Sequence, residues 1–422
     1  MRQIFSGYNN VLMMISVYFL INIAQAEQGL NQARDLPDHD IIVAADGSGN
    51  FKTIQEAINS IPKDNVQRII ILIKDGVYDE KVVIDRNYIT LLGQSRDKTR
   101  IELSFPFPYK NVPLDRAVMN IYGTDVIVQR LTISNTQPKS GTHAFTIFSR
   151  APCTRTILFD CNILSNGYDT LSLWADGMYY HADCYIKGHT DFVCPQGWNY
   201  ITRTKFVQSP QGGTLWHNGD RDESMKLVVK DSSFEGSHDG SKLGYYYHAA
   251  QFYLINCEFP ENMKTGFHVQ PLAPRDERLR ELSYFGLRAY YYNCHRKGGD
   301  LPWHADNLDK AKGSPKAEQI TAAWTFNGKW DPERTAGPKV ISLKIDADTT
   351  RVTFNETVTV KGSPSIILKS GRHAKYISGS GSDTLIFEPI SSNDSAVSLD
   401  QSQGAIIASL ATITVLRAEN SL

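Results

Sequence analysis

The chain has 422 residues, with 44 Lys+Arg against 45 Asp+Glu and a formal net charge of -1. That balance gives no general attraction to nucleic acid or anionic lipid, and 41% hydrophobic against 21% charged residues excludes a globally disordered chain. The length calls for two domains or one elongated domain, and 30 Gly with 20 Tyr point to a turn-rich β protein.

Residues 1–26 have the layout of a secretory signal: Arg2, a nearly continuous apolar run from Val11 to Ile23, then Ala24-Gln25-Ala26 as a small-x-small cleavage site. The run is too short for a confident membrane span, so the expected destination is secreted or periplasmic, with no membrane attachment after cleavage. Residues 27–37 read as a linker. A strand, Ile41-Ile42-Val43-Ala44, and a Gly-rich turn, Asp46 to Asn50, follow. Thr53 to Pro62 then places Ile54, Ala57, Ile58 and Ile61 at helical spacing, with Thr53 and Glu56 as a capping box and Pro62 as a stop. A short amphipathic helix here would close the open end of a stack of strands.

From residue 130 a tetrad recurs: a polar residue, a position that is often small or Cys, another residue, then Ile or Phe. It reads Arg130-Leu131-Thr132-Ile133, Asp160-Cys161-Asn162-Ile163, Asp183-Cys184-Tyr185-Ile186, Arg203-Thr204-Lys205-Phe206, Asp231-Ser232-Ser233-Phe234 and Asn256-Cys257-Glu258-Phe259. Its second residues are 30, 23, 20, 28 and 25 apart. A period in the twenties with β alternation signals stacked coils, as in a parallel β-helix, with inward residues forming ladders. Cys161, Cys184 and Cys257 are expected in one such ladder as buried free thiols; the six Cys match no metal-ligand spacing.

Two acids hold the same place after two of these strands. Asp169 lies 8 residues after Cys161, and Asp191 lies 7 after Cys184. Their separation of 22 is close to one coil, which would set the carboxyls on neighbouring rungs roughly 5 Å apart. Adjacent carboxyls ionise unequally, so one can hold a proton while the other stays anionic. Either Asp could equally be a loop residue bonded to local backbone amides. Aromatics gather in the same region; Trp174, Trp198, Tyr245 and Tyr246 are candidates for stacking on the apolar faces of sugars, with packing between coils as the alternative. From about Pro338 to Leu422 the chain has no Cys or Trp and carries short alternating runs, which predicts a small β-sandwich-like accessory domain over 338–422 after a β-helix over 38–337.

These pieces together resemble the pectin methylesterase family, carbohydrate esterase family 8. The resemblance rests on Val43 to Phe51, Gly76-Val77-Tyr78-Asp79-Glu80, Leu92-Gly93-Gln94, Tyr168-Asp169-Thr170-Leu171, Asp191-Phe192-Val193 and Ala323 to Trp330. It implies an all-β, right-handed single-stranded parallel β-helix that hydrolyses methyl esters of pectin to pectate and methanol. Asp191 would take the nucleophile's place and Asp169 the acid/base place, with neither metal nor cofactor. The chain departs from the family at Tyr168 and His143, where the family has the glutamines that donate to the oxyanion. It departs again at Tyr245, where the family has an Arg that fixes the nucleophile. Tyr168 and His143 become candidate oxyanion donors, and Arg221 a candidate substitute cation. The expected partner is the polysaccharide alone, bound by a monomer. The alternatives are a carbohydrate-binding β-helix with impaired turnover, and an esterase or thioesterase for another acyl group.

Overall fold

The computed structural model describes residues 39–408 except 108–113, 140, 210–211, 237–238, 247, 270–284, 335–339, 371, 392–395 and 401–403. The expected signal and linker over 1–37 lie outside the described residues.

The coils form, and they carry three parallel sheets. One has ten strands, from Ile41–Val43 to Leu287–Tyr292; a second has nine, from Gly76–Tyr78 to His295–Arg296. The third face is made of a four-stranded piece ending at Leu171–Leu173 and a three-stranded piece starting at Gly213–Leu215. Isolated bridges Leu171↔Val193 and Val193↔Leu215 join the two pieces. The third face is thus thinned to isolated bridges, at Val193 and Gln196, on the coil carrying Asp191. Parallel strands linked by crossovers of this kind wind right-handed, because a right-twisted strand packs back onto its sheet only that way.

The sequence tetrad has a direct structural meaning. Its first residue turns the chain in the left-handed region at Arg130, Asp160, Asp183, Arg203, Asp231 and Asn256, with φ between 48° and 57°. Asp and Asn tolerate that region because their short polar side chains bond locally. The second residue then points inward: Leu131, Cys161, Cys184, Thr204, Ser232 and Cys257 are all buried. Registers Asn162↔Tyr185, Tyr185↔Lys205, Lys205↔Ser233 and Ser233↔Glu258 align them as one ladder. All six Cys are buried and free, so the ladder packs thiols as small apolar groups.

Helix α1 (Ile54–Asn59) buries Ile54, Ala57 and Ile58 against the interior apolar cluster. Thr53 caps it by accepting from the Glu56 amide at 3.2 Å. A second cap comes from outside the helix: Glu80 accepts from the Ile54 and Gln55 amides at 2.8 and 2.9 Å. Glu80, the last residue of the Gly76-Val77-Tyr78-Asp79-Glu80 element, therefore secures the end of the coil stack. Negative charge at a helix start is stabilising, and the orphan amides there need acceptors.

The segment after Arg296 returns over the outer face of the ten-stranded sheet. Leu308, Ile320, Ala322, Phe326 and Trp330 cluster there with outward residues Ile157, Tyr180, Tyr200, Val228 and Tyr253. Beyond it, the described strands from Val340–Ile345 onward are antiparallel and have their own apolar cluster, including Val352, Phe354, Leu385 and Phe387. The 13-residue strand Thr350–Gly362 pairs with Val340–Ile345, Ser382–Phe387 and Gly404–Ala408, and its register shifts between Thr353 and Val358. The strands are therefore linked through one hydrogen-bonded order.

Candidate active site

Asp169 and Asp191 both sit in left-handed turns, with φ of 58° and 48°. The bridge Leu171↔Val193 places each Asp two residues before a partner, so Asp169 and Asp191 face each other across one rung. Backbone bonds fix the turns: the Asp169 amide donates to the Thr190 carbonyl at 3.3 Å, and the Asp191 amide to the Gly213 carbonyl at 2.8 Å. Gly188 makes the second turn possible, since a Cβ there would collide with Phe192 Cβ and Thr170 Oγ1.

Both acids open into a cleft of about 230 Å³ together with His143, Tyr168, Trp174 and Trp216. His143 Nε2 stands 3.3 Å from Asp169 Oδ2. Burial lowers the His143 pKa, so its imidazole is biased toward the neutral form and can donate one hydrogen bond. Tyr168 packs edge-on to His143 at 5.5 Å and to His189 at 5.1 Å between ring centres. Cys194 Sγ donates to Asp169 Oδ1 at 3.5 Å and lies 2.9 Å from Ser172 Oγ. The Ser172 hydroxyl also donates to the Asp169 carbonyl at 2.9 Å.

Burial raises the Asp169 pKa to about 7, against which only the Cys194 hydrogen bond pulls down. Asp191 is pushed well above the usual carboxylate range, first by burial and then by the charge of Asp169. Its Oδ1 is buried with no hydrogen-bond partner among the described residues. Among the described residues no Arg or Lys lines the cleft. Arg221, the candidate substitute cation, is instead an exposed residue that pairs with Asp176 at 2.7 Å. Burial thus favours the protonated form of both carboxyls, and the Asp169 charge favours it further at Asp191.

A carboxyl with a raised folded-state pKa makes the native state hold a proton that the unfolded chain has lost. Between the ordinary value of 3.8 and about 7, stability therefore falls as pH rises. Asp169→Asn removes that proton linkage. The variant is expected to lie within about 0.5 kcal/mol of the native chain near pH 4 and to be several kcal/mol more stable at pH 7, up to about 4 kcal/mol for a pKa raised by about 3. Melting curves at the two pH values check this, and equal stability at pH 7 would contradict it.

The aromatic expectations divide. Trp174 lines the cleft, edge-on to Phe148 at 5.6 Å. Tyr245 belongs to the strand Ser241–Tyr246, two rungs beyond Asp191, and a Cβ on Gly213 of the intervening rung would sit 2.7 Å from Tyr245 Cδ2, so this ring fills the place above Gly213. Lys242 stacks on its face at 5.3 Å. Tyr246 is not a cleft residue, because it packs against the interior cluster of the β-helix. Trp198 is not one either. It belongs to the ten-stranded sheet, packs on the outer cluster, and donates from Nε1 to Ser224 at 3.2 Å. Trp216 is a cleft wall on the third face, while Cys194 and Thr190 carried no chemical signal in the sequence, since their part depends on which coil they face.

Residues 40–233 match the pectinesterase family model. Among curated relatives, "Probable pectinesterase 49" of Arabidopsis thaliana is 33% identical over 161 residues, covering 37% of this chain and 44% of that one. The first four relatives are covered over 35%, 44%, 46% and 49% of their lengths, so the chain spans half or less of each. Among solved structures, a pectin methylesterase in complex with a hexasaccharide superposes with a TM-score of 0.59 at 21% identity, covering 71% of this chain and 100% of that one. The pectin methylesterase from carrot superposes with a TM-score of 0.56 at 21% identity, covering 69% and 94%. These likenesses establish the right-handed parallel β-helix.

Proposed function

We propose, from the divergent pectinesterase-family domain that this chain carries over residues 40–233, that it is a carboxylic-ester hydrolase releasing methanol from methyl-esterified polygalacturonate. The observation that carries the proposal is the meeting of Asp169 and Asp191 across one rung in a shared cleft. Asp191, as the carboxylate, attacks the ester carbonyl carbon. His143 Nε2–H and the Tyr168 hydroxyl donate to the oxyanion that develops. Asp169, as the acid, protonates the departing methoxide to methanol and leaves the sugar acyl group on Asp191 as a mixed anhydride. Asp169 then takes a proton from water, whose oxygen attacks the anhydride and restores the free Asp191 carboxylate. The working state holds one proton on the pair, which matches carboxyls whose titration is pushed upward by burial.

Trp174 offers an apolar face to a sugar ring at the cleft wall, and Tyr245 a further one along the groove. The chain is read as exported and monomeric, with the part from 338 onward as an accessory module. One observation favours a second reading. Asp191 Oδ1 has neither cation nor donor among the described residues, as expected of a carbohydrate-binding β-helix whose turnover has been lost.

The test is incubation of the full chain with methyl-esterified pectin while methanol and titratable acid are followed together. The hydrolase produces them in equal amounts. Binding to pectin with neither product selects the second reading, and acid without methanol identifies a different ester.

A further inference from the structure

Although the cleft holds no cation, two arginines stand beside it. The Arg116 guanidinium lies over the Phe148 ring at 4.7 Å and over the Trp174 ring at 5.6 Å, and Trp174 is a wall of the cleft. Arg150 directly follows the strand Ile147–Ser149, whose Ser149 pairs with Leu173, so its register neighbour is Trp174. The Arg150 guanidinium covers Tyr122 at 5.0 Å.

Neither arginine has a carboxylate partner among the described residues. The acid adjacent to Arg116 in sequence, Asp115, is held by the Tyr122 hydroxyl at 2.7 Å. Arg116 Nε is buried and has no hydrogen-bond acceptor among the described residues. Burial disfavours the charged form of Arg116, Tyr122 opposes that, and the Arg150 charge adds to it. A guanidinium that feels a second like charge and keeps a buried N–H unfilled costs free energy that an anion would recover. Stacking on two aromatic faces fixes the plane of the Arg116 group and leaves its N–H edge for a planar, two-oxygen acceptor, which is the shape of a carboxylate.

We propose that Arg116, with Arg150 alongside, determines specificity by receiving the free carboxylate of a uronic-acid unit that neighbours the unit whose ester is cleaved. The proposal rests on the ester-hydrolase function and narrows its substrate to chains in which esterified and free uronates are mixed. Trp174 connects the two places, because it lines the cleft and carries the Arg116 guanidinium over its ring.

Two measurements on the full chain test it. The first is binding of ester-free oligogalacturonate by calorimetry. The native chain binds, and Arg116→Gln raises Kd about tenfold, the size of one charge-assisted hydrogen bond. Arg116→Lys, which keeps the charge and loses the fork, falls between them. The second is the ratio of kcat/KM on partly esterified over fully esterified polygalacturonate, which falls about tenfold in Arg116→Gln, mainly through KM. Equal Kd values for native and Arg116→Gln proteins, an unchanged kinetic ratio, or a native chain that does not bind would overturn the proposal. Binding that depends on Arg116 without any methanol release would leave the anion site standing and remove the hydrolase function instead.

Discussion

Asp191→Ala and Asp169→Ala are each expected to lower kcat for methanol release by about a thousandfold or more, and the double variant is expected to lose little beyond either single one. The reason is the shared rung. Without Asp191 there is no acyl intermediate for Asp169 to resolve. Without Asp169 the methoxide leaves unprotonated and water attacks unaided. Groups that serve the same two steps in sequence do not contribute separable increments. Initial rates for the four proteins, with melting temperatures measured in parallel, check this. Losses that multiply would mean that the two acids work at independent places.

Tyr245→Arg is expected to move the acid limb of the kcat/KM profile down by about 1–2 pH units. Burial raises both carboxyls, and among the described residues no cation lines the cleft to oppose it. The Tyr245 ring reaches from two rungs away over Gly213, whose carbonyl accepts the Asp191 amide hydrogen bond, and so fills the space on the rung next to Asp191. A guanidinium there would favour the Asp191 carboxylate, so the active state with one proton on the pair would form at lower pH. The rate near pH 5 should rise about tenfold or more, since each unit of pKa is a factor of ten in the ionised fraction. An acid limb that stays in place would show that Tyr245 does not govern the Asp191 charge.

The architecture was legible because it is written twice in each coil. The tetrads carry an Asp, Asn or Arg where the chain turns with positive φ, and a small or apolar residue where it then enters the core. Both requirements are local, so period and polarity expose them. The Asp pair was legible for the same reason: its spacing of 22 is one coil. What escaped depends on which face a residue takes after a turn. Trp198 and Trp174 both read as aromatics near turns, yet one lies on the covered outer sheet and the other on the cleft. Tyr246 differs from Tyr245 by a single step of alternation, which packs one against the interior cluster and lays the other over Gly213. Glu80 looked like part of a motif, and its work as the cap of α1 is a contact across 25 and 26 residues. Arg116 carried no signal at all, because its setting is made by Phe148 and Trp174 from two later coils.

Resolving who attacks the ester calls for a variant that keeps the shape of the cleft. Asp191→Asn preserves the volume and removes only the nucleophilic charge. Methanol release from partly methyl-esterified polygalacturonate, measured at the pH of maximal native activity, should drop to the uncatalysed background in this variant while its melting curve stays cooperative. A native-like rate from the folded Asn protein would contradict the assignment of Asp191 and, with it, the division of labour across the rung.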